Sequence, residues 1–382
     1  MSPRFRVPGL DRARRAQGPL GVALAIGIIV SACAGGAASA PTGLAGLTWQ
    51  PAASLPASGG ASLAKVIAAG PGFVAVGQSS YAGPGIAWTS ADGSTWQSVT
   101  QVSQMTQGRV LLALGAGPAN VVAIGPMCGG ECGGAFPIVS PDGMTWESGQ
   151  QMPPLVGFSE AKDLVWDGHG FLAVGDEIVN PNPVAYVAHV WTSPDGLTWK
   201  VLPARPALDR ASMSSVARTA HGFVAVGAVQ DGQGFRGAAW TSPDGSDWQR
   251  AADSAAFDGA FLFAVVAGGP GLVAVGEGAS GAAVWTSSDG SRWQRSRDAP
   301  SFQNAEMHAL AVGPTGLVAV GYDHDGAAIW TSADGATWVR VPAQPDFAGA
   351  AALSVAVSHG TYVVVGGGNP NANAQAFVWV GR

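Results

Sequence analysis

One eight-residue phrase is written six times: TSADGSTW at 89–96, VSPDGMTW at 139–146, TSPDGLTW at 192–199, TSPDGSDW at 241–248, TSSDGSRW at 286–293 and TSADGATW at 331–338. Upstream of each phrase an apolar segment ends in glycine, as in FVAVG (73–77), VVAIG (121–125), FLAVG (171–175), FVAVG (223–227), LVAVG (272–276) and LVAVG (317–321). A seventh copy, YVVVG, lies at 362–366, and the terminal glycines recur every 45 to 52 residues. A third segment leads into the turn (AWTS at 87–90, VWTS at 190–193), and a fourth precedes the glycine-ended one (SLAKVIAAG at 62–70, SMSSVARTA at 212–220, MHALAVG at 307–313). Each unit is therefore four short segments rich in Val, Trp, Thr and Phe, bounded by Gly, Pro and Asp, with no sustained helical period. Four strands in a repeat of this length are the signature of a propeller blade.

The count of blades follows from the chain ends. There are seven glycine-ended segments but six Asp turns, and the last unit stops at VWVGR, after its third strand. The missing strand is at the other end, where GLTWQPA (46–52) matches GLTWKVLPA (196–204) with no strands before it. The sequence predicts an all-β fold, a seven-bladed β-propeller of four-stranded antiparallel blades, closed by the N-terminal strand completing the last blade. Trp49, Trp96, Trp146, Trp199, Trp248, Trp293 and Trp338 then form one complete set of fourth-strand tryptophans. With 14 Trp and 12% charged residues in 382, disorder is excluded.

The first residues read as a targeting segment. MSPRFRVPGLDRARRAQG carries five arginines, and PLGVALAIGIIVSA is too short and too closely followed by small residues for a spanning helix. Val30-Ser31-Ala32-Cys33 resembles the lipobox of bacterial lipoproteins, in which the cysteine is lipidated and becomes the mature N-terminus; an uncleaved anchor is the other reading. The resemblance implies a signal peptide at 1–32, a lipidated Cys33 with a flexible tether over 33–45, and the propeller at 46–382. It places the protein on the outer side of a bacterial cytoplasmic membrane, held to the lipid bilayer by the Cys33 acyl chain. Cys128 and Cys132, in MCGGECGG, are then expected to form a disulfide, since no nearby His or Cys completes a metal site. Loss of residues 1–32 leaves 14 basic and 24 acidic residues, a formal charge of −10, which argues against nucleic acid or an anionic lipid surface as partner.

The turn S-x-D-G-x-x-W resembles the Asp box of bacterial neuraminidase-type repeats, S-x-D-x-G-x-T-W, found in sialidases, sortilin-type receptors, xyloglucanases and photosystem assembly factors. The copies here lack the spacer between Asp and Gly. In that family the box is a structural hairpin between third and fourth strands, away from the catalytic centre. The residue chemistry agrees: Asp and Ser bind turn amides, Gly supplies a positive φ and Trp packs between sheets. Asp92, Asp142, Asp195, Asp244, Asp289 and Asp334 are read as structural pegs, because one catalytic centre does not need six symmetric acids.

Strand alternation puts the first-to-second-strand turns and the Asp turns on one face. The second-to-third-strand and inter-blade connections fall on the other, read as longer, more variable and the functional face. Its candidates are Glu160, Asp176, Glu277, Tyr322, Asp323, His324 and Asp325, with Tyr81, the Cys128–Cys132 loop, Glu177, Asp231, Arg236, Asp209, Arg210, Asp258, Arg297 and Glu306-x-His308 beside them. Recurrent phenylalanines in FSEA (158–161), FDGA (257–260), FQNA (302–305) and FAGA (347–350) are expected to pack between blades. Sialidases use an arginine triad, a Tyr–Glu pair and an acid Asp, with an F/Y-R-I-P motif near the N-terminus. The FRVP at Phe5–Pro8 is an accidental match inside the leader, and arginines at strand starts are scarce. A xyloglucanase-like cleft needs two propellers. Neither a cofactor nor a metal is expected: Asp323-His324-Asp325 is a single short run. The leading expectation is a monomeric, non-catalytic lipoprotein binding a cell-wall glycan or an envelope protein through the second face; a sialidase-like surface glycoside hydrolase or lyase is the alternative.

Overall fold

The structure, a computed structural model, describes residues 44, 46–56, 60–80, 83–106, 109–126, 134–154, 158–181, 184–232, 234–252, 254–269, 271–368 and 375–382. The chain divides into Met1–Ala40 and Pro41–Arg382, and the second unit carries the fold. The expectations on the leader, Cys33, nearly all of the tether, Tyr81, Cys128 and Cys132 fall outside the described residues.

Seven four-stranded antiparallel sheets follow one another. Blade one comprises Ser62–Ala69, Gly72–Gln78, Gly85–Ser90 and Gln97–Ser98, and blade two Ala113–Ala116, Val121–Pro126, Ala135–Ser140 and Glu147–Ser148. Blade three comprises Phe158–Trp166, Phe171–Pro181, Val184–Ser193 and Lys200–Val201, and blade four Ala211–Thr219, Gly222–Asp231, Gly234–Ser242 and Gln249–Arg250. Blade five is built from Phe261–Gly268, Gly271–Gly278, Gly281–Ser287 and Gln294–Arg295, and blade six from Glu306–Gly313, Gly316–Asp323, Gly326–Ser332 and Val339–Arg340. Blade seven takes Ala350–Ser358, Thr361–Gly368 and Ala376–Gly381 from the C-terminus and Trp49–Pro51 from the N-terminus. The closing strand pairs Trp49 with Gly381, Gln50 with Val380 and Pro51 with Trp379. Among the described residues no helix is long and apolar enough to cross a membrane.

The first strands of successive blades touch around a complete cycle and form the inner wall. Apolar side chains between neighbouring sheets make seven cores; one joins Val224, Val226 and Ala239 of blade four to Leu262, Leu272 and Trp285 of blade five. Third-strand tryptophans Trp88, Trp191, Trp240, Trp285, Trp330 and Trp379 are all 2% exposed or less, while blade two puts Ile138 there. Burying a side chain of this size is worth on the order of 4–6 kcal/mol of transfer free energy. Phe257, Phe302 and Phe347 sit in short 3-10 turns between blades, buried as expected. Phe158 does not join them: it starts the first strand of blade three, and the equivalent turn before blade four buries Leu208.

The glycine ending each second strand has a single cause. A Cβ there would lie 1.8–2.0 Å from a first-strand carbonyl oxygen, from Ser62 O against Gly77 to Ala351 O against Gly366, in all seven blades. That approach accompanies a β-bulge in the first strand, recorded as a register shift in blades one and three to seven. Side chains just past the bulge then tie inner edges together. Ser354 Oγ accepts the Val66 amide (3.1 Å), and Ser215 Oγ accepts the Val265 amide (3.3 Å). Asp163 Oδ2 accepts Ser215 Oγ (2.8 Å) and the Val216 amide (3.1 Å), while Lys65 reaches its Oδ1 across blade two at 3.0 Å.

The six Asp turns are superimposable in their bonding. In the first, Asp92 Oδ1 accepts the amides of Ser94 (2.8 Å) and Thr95 (2.9 Å), Ser90 Oγ accepts the Gly93 amide (2.9 Å), and Trp96 Nε1 donates to Gly93 O (2.7 Å). The turn glycines hold φ between 74° and 83°, and a Cβ on Gly93 would meet Val363 of the preceding blade at 2.5 Å. Trp49, whose blade has no such turn, has no partner for its buried Nε1 among the described residues. The amides dominate in holding Asp92, Asp142, Asp244 and Asp289 below the ordinary carboxylate range. For Asp195 and Asp334, burial pulls upward most strongly, yet the backbone and serine bonds together still lower the pKa.

Two outcomes follow from this architecture. Deleting residues 46–52 exposes the edge of Ala376–Gly381 and removes Trp49, 8% exposed. The expected cost is about 3–5 kcal/mol, with a lower melting temperature and edge-to-edge association in size-exclusion chromatography. An unchanged melting temperature and a monodisperse monomer would contradict closure by this strand. In the turns, folded-state pKa values lie below unfolded ones, so the stability these carboxylates add is present above about pH 4 and is lost as pH falls through the folded values. Asp289→Ala is expected to cost about 1 kcal/mol at pH 7, after allowance for solvent screening. Urea titrations should show the gap from the parent shrinking at pH 3.

Candidate functional site

The bulge fixes which side chains reach the mouth of the inner wall. Six first strands, and the segment that leads into that of blade two, align as SLAKV (62–66), VLLAL (110–114), EAKDL (160–164), SMSSV (212–216), FLFAV (261–265), EMHAL (306–310) and AALSV (351–355). The second and fifth positions are apolar in every blade. The first and third differ from blade to blade: Glu160 and Lys162, Ser212 and Ser214, Phe261 and Phe263, Glu306 and His308 in blades three to six. Bulges re-aim side chains in this way at barrel and sheet rims.

In blade three, Glu160 lies opposite Asp176 in register. Lys162 Nζ pairs with Asp176 Oδ2 at 2.5 Å and donates to Ser212 Oγ of blade four at 3.0 Å. Burial pushes the Glu160 carboxyl up, as does Asp176, against the downward pull of Lys162. Burial opposes the charge on Lys162, but Asp176 and Glu160 outweigh it and raise its pKa. The neighbouring pair, His189 Nε2 with Glu177 Oε2, is 2.8 Å apart.

In blade six, His308 Nε2 lies 3.2 Å from Glu306 Oε2, and Tyr322, opposite Glu306 in register, bonds the same carboxylate through its hydroxyl. Burial would raise the Glu306 pKa, but these two hydrogen bonds hold it below the ordinary range. The Tyr322 phenol is pushed well up by burial, by its bond to Glu306 and by the charges of Glu306 and Glu277.

These groups are joined by one row of rings. Tyr186 meets Phe235 (5.5 Å between centroids), Phe235 meets Phe261 (5.9 Å), and Phe261 stacks on Phe263 (5.2 Å). Phe263 stacks on His308 (4.8 Å, 7° between planes), and His308 on Tyr322 (5.3 Å). Tyr186 and Phe235 both lie five residues before the third-strand tryptophan of their blade. Second strands of 11 and 10 residues in blades three and four, against 8 in blades five and six, provide that position. Phe235 is 40% exposed.

All seven expected residues of the second face are on it, but in separate groups. Glu160 and Asp176 are neighbours in blade three; Glu277 lies opposite Phe261 in blade five and acts on Tyr322 of blade six. Asp323, His324 and Asp325 form the tip of the blade-six hairpin with ligand atoms within 4.8 Å of one another, and Asp323 is committed to Arg340 Nε at 2.5 Å. A cation there would compete with a guanidinium. The hairpins of blades four to six are tighter than expected, closing at Asp231–Gly234, Gly278–Gly281 and Asp323–Gly326. Arg210 occupies a left-handed position (φ 53°) shared with Gly259, Asn304 and Gly349, which marks it as part of the inter-blade turn. Sequence alone does not pick out Tyr186, Phe235, Phe261 and Phe263, because aromatics in strands read as core, or Lys162, which belongs to no motif. Aligning the first strands within the chain reveals Lys162, Phe261 and Phe263.

The entries of the first strands and the second-to-third-strand hairpins of blades three to six carry eight carboxylates: Glu160, Asp176, Glu177, Asp231, Glu277, Glu306, Asp323 and Asp325. Two cations, Lys162 and Arg236, lie in the same segments, and Arg295, with its partner Asp298, and Arg340 reach them from the fourth strands of blades five and six.

No protein-family model matches the sequence, and no curated protein does. Among solved structures, the chain is similar to YCF48 bound to D1 peptide (TM-score 0.57, 15% identity, covering 88% of this chain and 94% of that one). It is also similar to a Dyadobacter fermentans protein of unknown function (TM-score 0.52, 15% identity, 89% and 100% covered). A third is Trypanosoma rangeli sialidase in complex with the inhibitor DANA (TM-score 0.51, 14% identity, 75% and 56% covered). At such identities the likeness is one of fold: a seven-bladed propeller with sialidase-like structural neighbours.

Proposed function

We propose that the protein is a lipid-anchored, extracytoplasmic propeller of a bacterial membrane that binds a glycan or protein partner, without catalysis, on the face of blades three to six. The observation that carries this reading is the row of rings from Tyr186 to Tyr322. Rings with one exposed border and polar groups alongside are what binding faces use as anchors. Membrane attachment rests on Cys33, through its resemblance to a lipobox cysteine. Leu44 packs with Val318 and Trp49, and a Cβ on Gly316, in a first-to-second-strand turn, would touch it at 2.7 Å. The mature N-terminus thus leads into the Asp-turn face, and a lipid held there turns the ring row away from the bilayer. YCF48, bound to a D1 peptide, is a propeller neighbour that binds a peptide.

A sialidase-like hydrolase is the second reading. It is favoured by the Tyr322–Glu306 hydrogen bond, a Tyr–Glu pair at the mouth of the wall. Against it, Arg236, Arg295 and Arg340 pair with Asp231, Asp298 and Asp323 on this face. A sugar carboxylate would have to displace those partners.

A photo-crosslinking residue placed at Phe235, and separately at Met144 (49% exposed, in an Asp turn), tests the binding face on whole cells. Adducts from position 235 and none from 144 are expected. Equal adducts, or none from 235, contradict the assignment. Turnover of a fluorogenic sialoside that is lost in Glu306→Gln would establish the hydrolase instead.

A further inference from the structure

The chemistry of the ring row narrows its occupant. Three of the ring pairs, from Phe261 through Phe263 and His308 to Tyr322, are stacked, so their faces are turned to one another. Such a stack offers a partner mainly ring edges, an apolar band suited to aliphatic chains. Carboxylates alternate with the rings along this band. Glu160 lies opposite Asp176 in register, Glu277 lies opposite Phe261, and Glu306 bonds His308 and faces Tyr322. The eight carboxylates with Asp298, set against Lys162, Arg236, Arg295 and Arg340, leave an excess of five acids along the same arc as the rings. Proteins of this size meet their partners through complementary potentials, and like-charge partners are repelled.

We propose that this face receives a polypeptide segment in which basic residues alternate with apolar ones. The inference rests on the binding reading above and names the class of partner. Lysine and arginine stems lie along apolar surface while their charged ends reach carboxylates beyond it. A period of two in an extended peptide places alternate side chains on opposite sides, so basic and apolar contacts separate cleanly. Blades three and four, whose second strands are longer than those of blades five and six, are tied by the Tyr186 amide donating to Gln230 Oε1 at 3.2 Å. An acidic sugar gains nothing from such a field, and a neutral glycan leaves the excess of carboxylates without a role.

The test uses the full-length chain in a neutral polyoxyethylene detergent. Three acetylated decapeptides share apolar residues at alternate positions and carry Lys, Gln or Glu at the others; a β-1,4-linked N-acetylglucosamine hexamer is the fourth probe. The Lys peptide is expected to bind at least roughly tenfold more tightly than the Gln peptide, with affinity falling as salt rises, and the Glu peptide not at all. Phe235→Ser, at an exposed position, and Glu306→Gln should each weaken the Lys peptide several-fold. Asp247→Asn, an equal charge change in an exposed Asp turn, should leave it unchanged. Equal binding of the Lys and Gln peptides, or a Lys peptide as sensitive to Asp247→Asn as to Glu306→Gln, overturns the inference. Binding of the hexamer in place of the Lys peptide, lost in Phe235→Ser, overturns it while leaving the binding face standing. Binding of no probe overturns the basic-peptide inference, and the crosslinking result at Phe235 then decides the broader reading separately.

Discussion

Seven carbonyl oxygens, each about 2 Å from where a Cβ would stand, determine how this propeller is built. They oblige a glycine at the end of every second strand, and they accompany a bulge that breaks the pairing of every first strand in which a register shift is recorded. The unpaired inner edge would be costly if it stayed open. Ser354, Ser215 and Asp163 satisfy part of it by accepting amides from the next blade. The same bulge leaves two side chains per blade outside the cores between sheets. Scaffold and candidate site are thus set by one local distortion, with different residues of the same five-residue stretch serving each.

Ring closure is the second constraint. A sheet with two apolar faces needs a neighbour on each, so a row of blades is stable only when its last sheet meets its first. Trp49–Pro51 supplies the strand that the C-terminus lacks. Without an Asp turn of its own, Trp49 finds no carbonyl for its indole N–H among the described residues, unlike Trp96, Trp146 and the four that follow. Packing against Tyr362 and Trp379 holds the closing strand's side chain in place.

The fold was legible because repetition multiplies weak signals. One VAVG-like segment proves little, but seven at near-constant spacing with a matching orphan strand leave one architecture. The candidate site was only partly legible, for the opposite reason: it lies where the repeats disagree. Acids such as Glu160 and Asp176 stand out in any strand. Phe261 and Phe263 do not, since strand aromatics usually mean core, and only alignment against Ser212-Met213-Ser214 and Glu306-Met307-His308 shows that they occupy outward positions. Tyr186 and Phe235 depended on hairpin lengths that sequence boundaries do not fix. The expectation of long loops failed over blades four to six because DGQG, GASG and DHDG close two-residue turns.

The central claim is that the first and third positions of each first strand can change without cost to the ring, while the binding face depends on them. It is tested most directly by giving blade six the residues of blade four, in the double variant Glu306→Ser, His308→Ser, and measuring thermal unfolding alongside crosslinking from position 235. The account predicts a melting temperature within a few degrees of the parent and a loss of the crosslinked partner. A collapse of the fold comparable to that of Met307→Ser, or full retention of the partner by a folded variant, would contradict it.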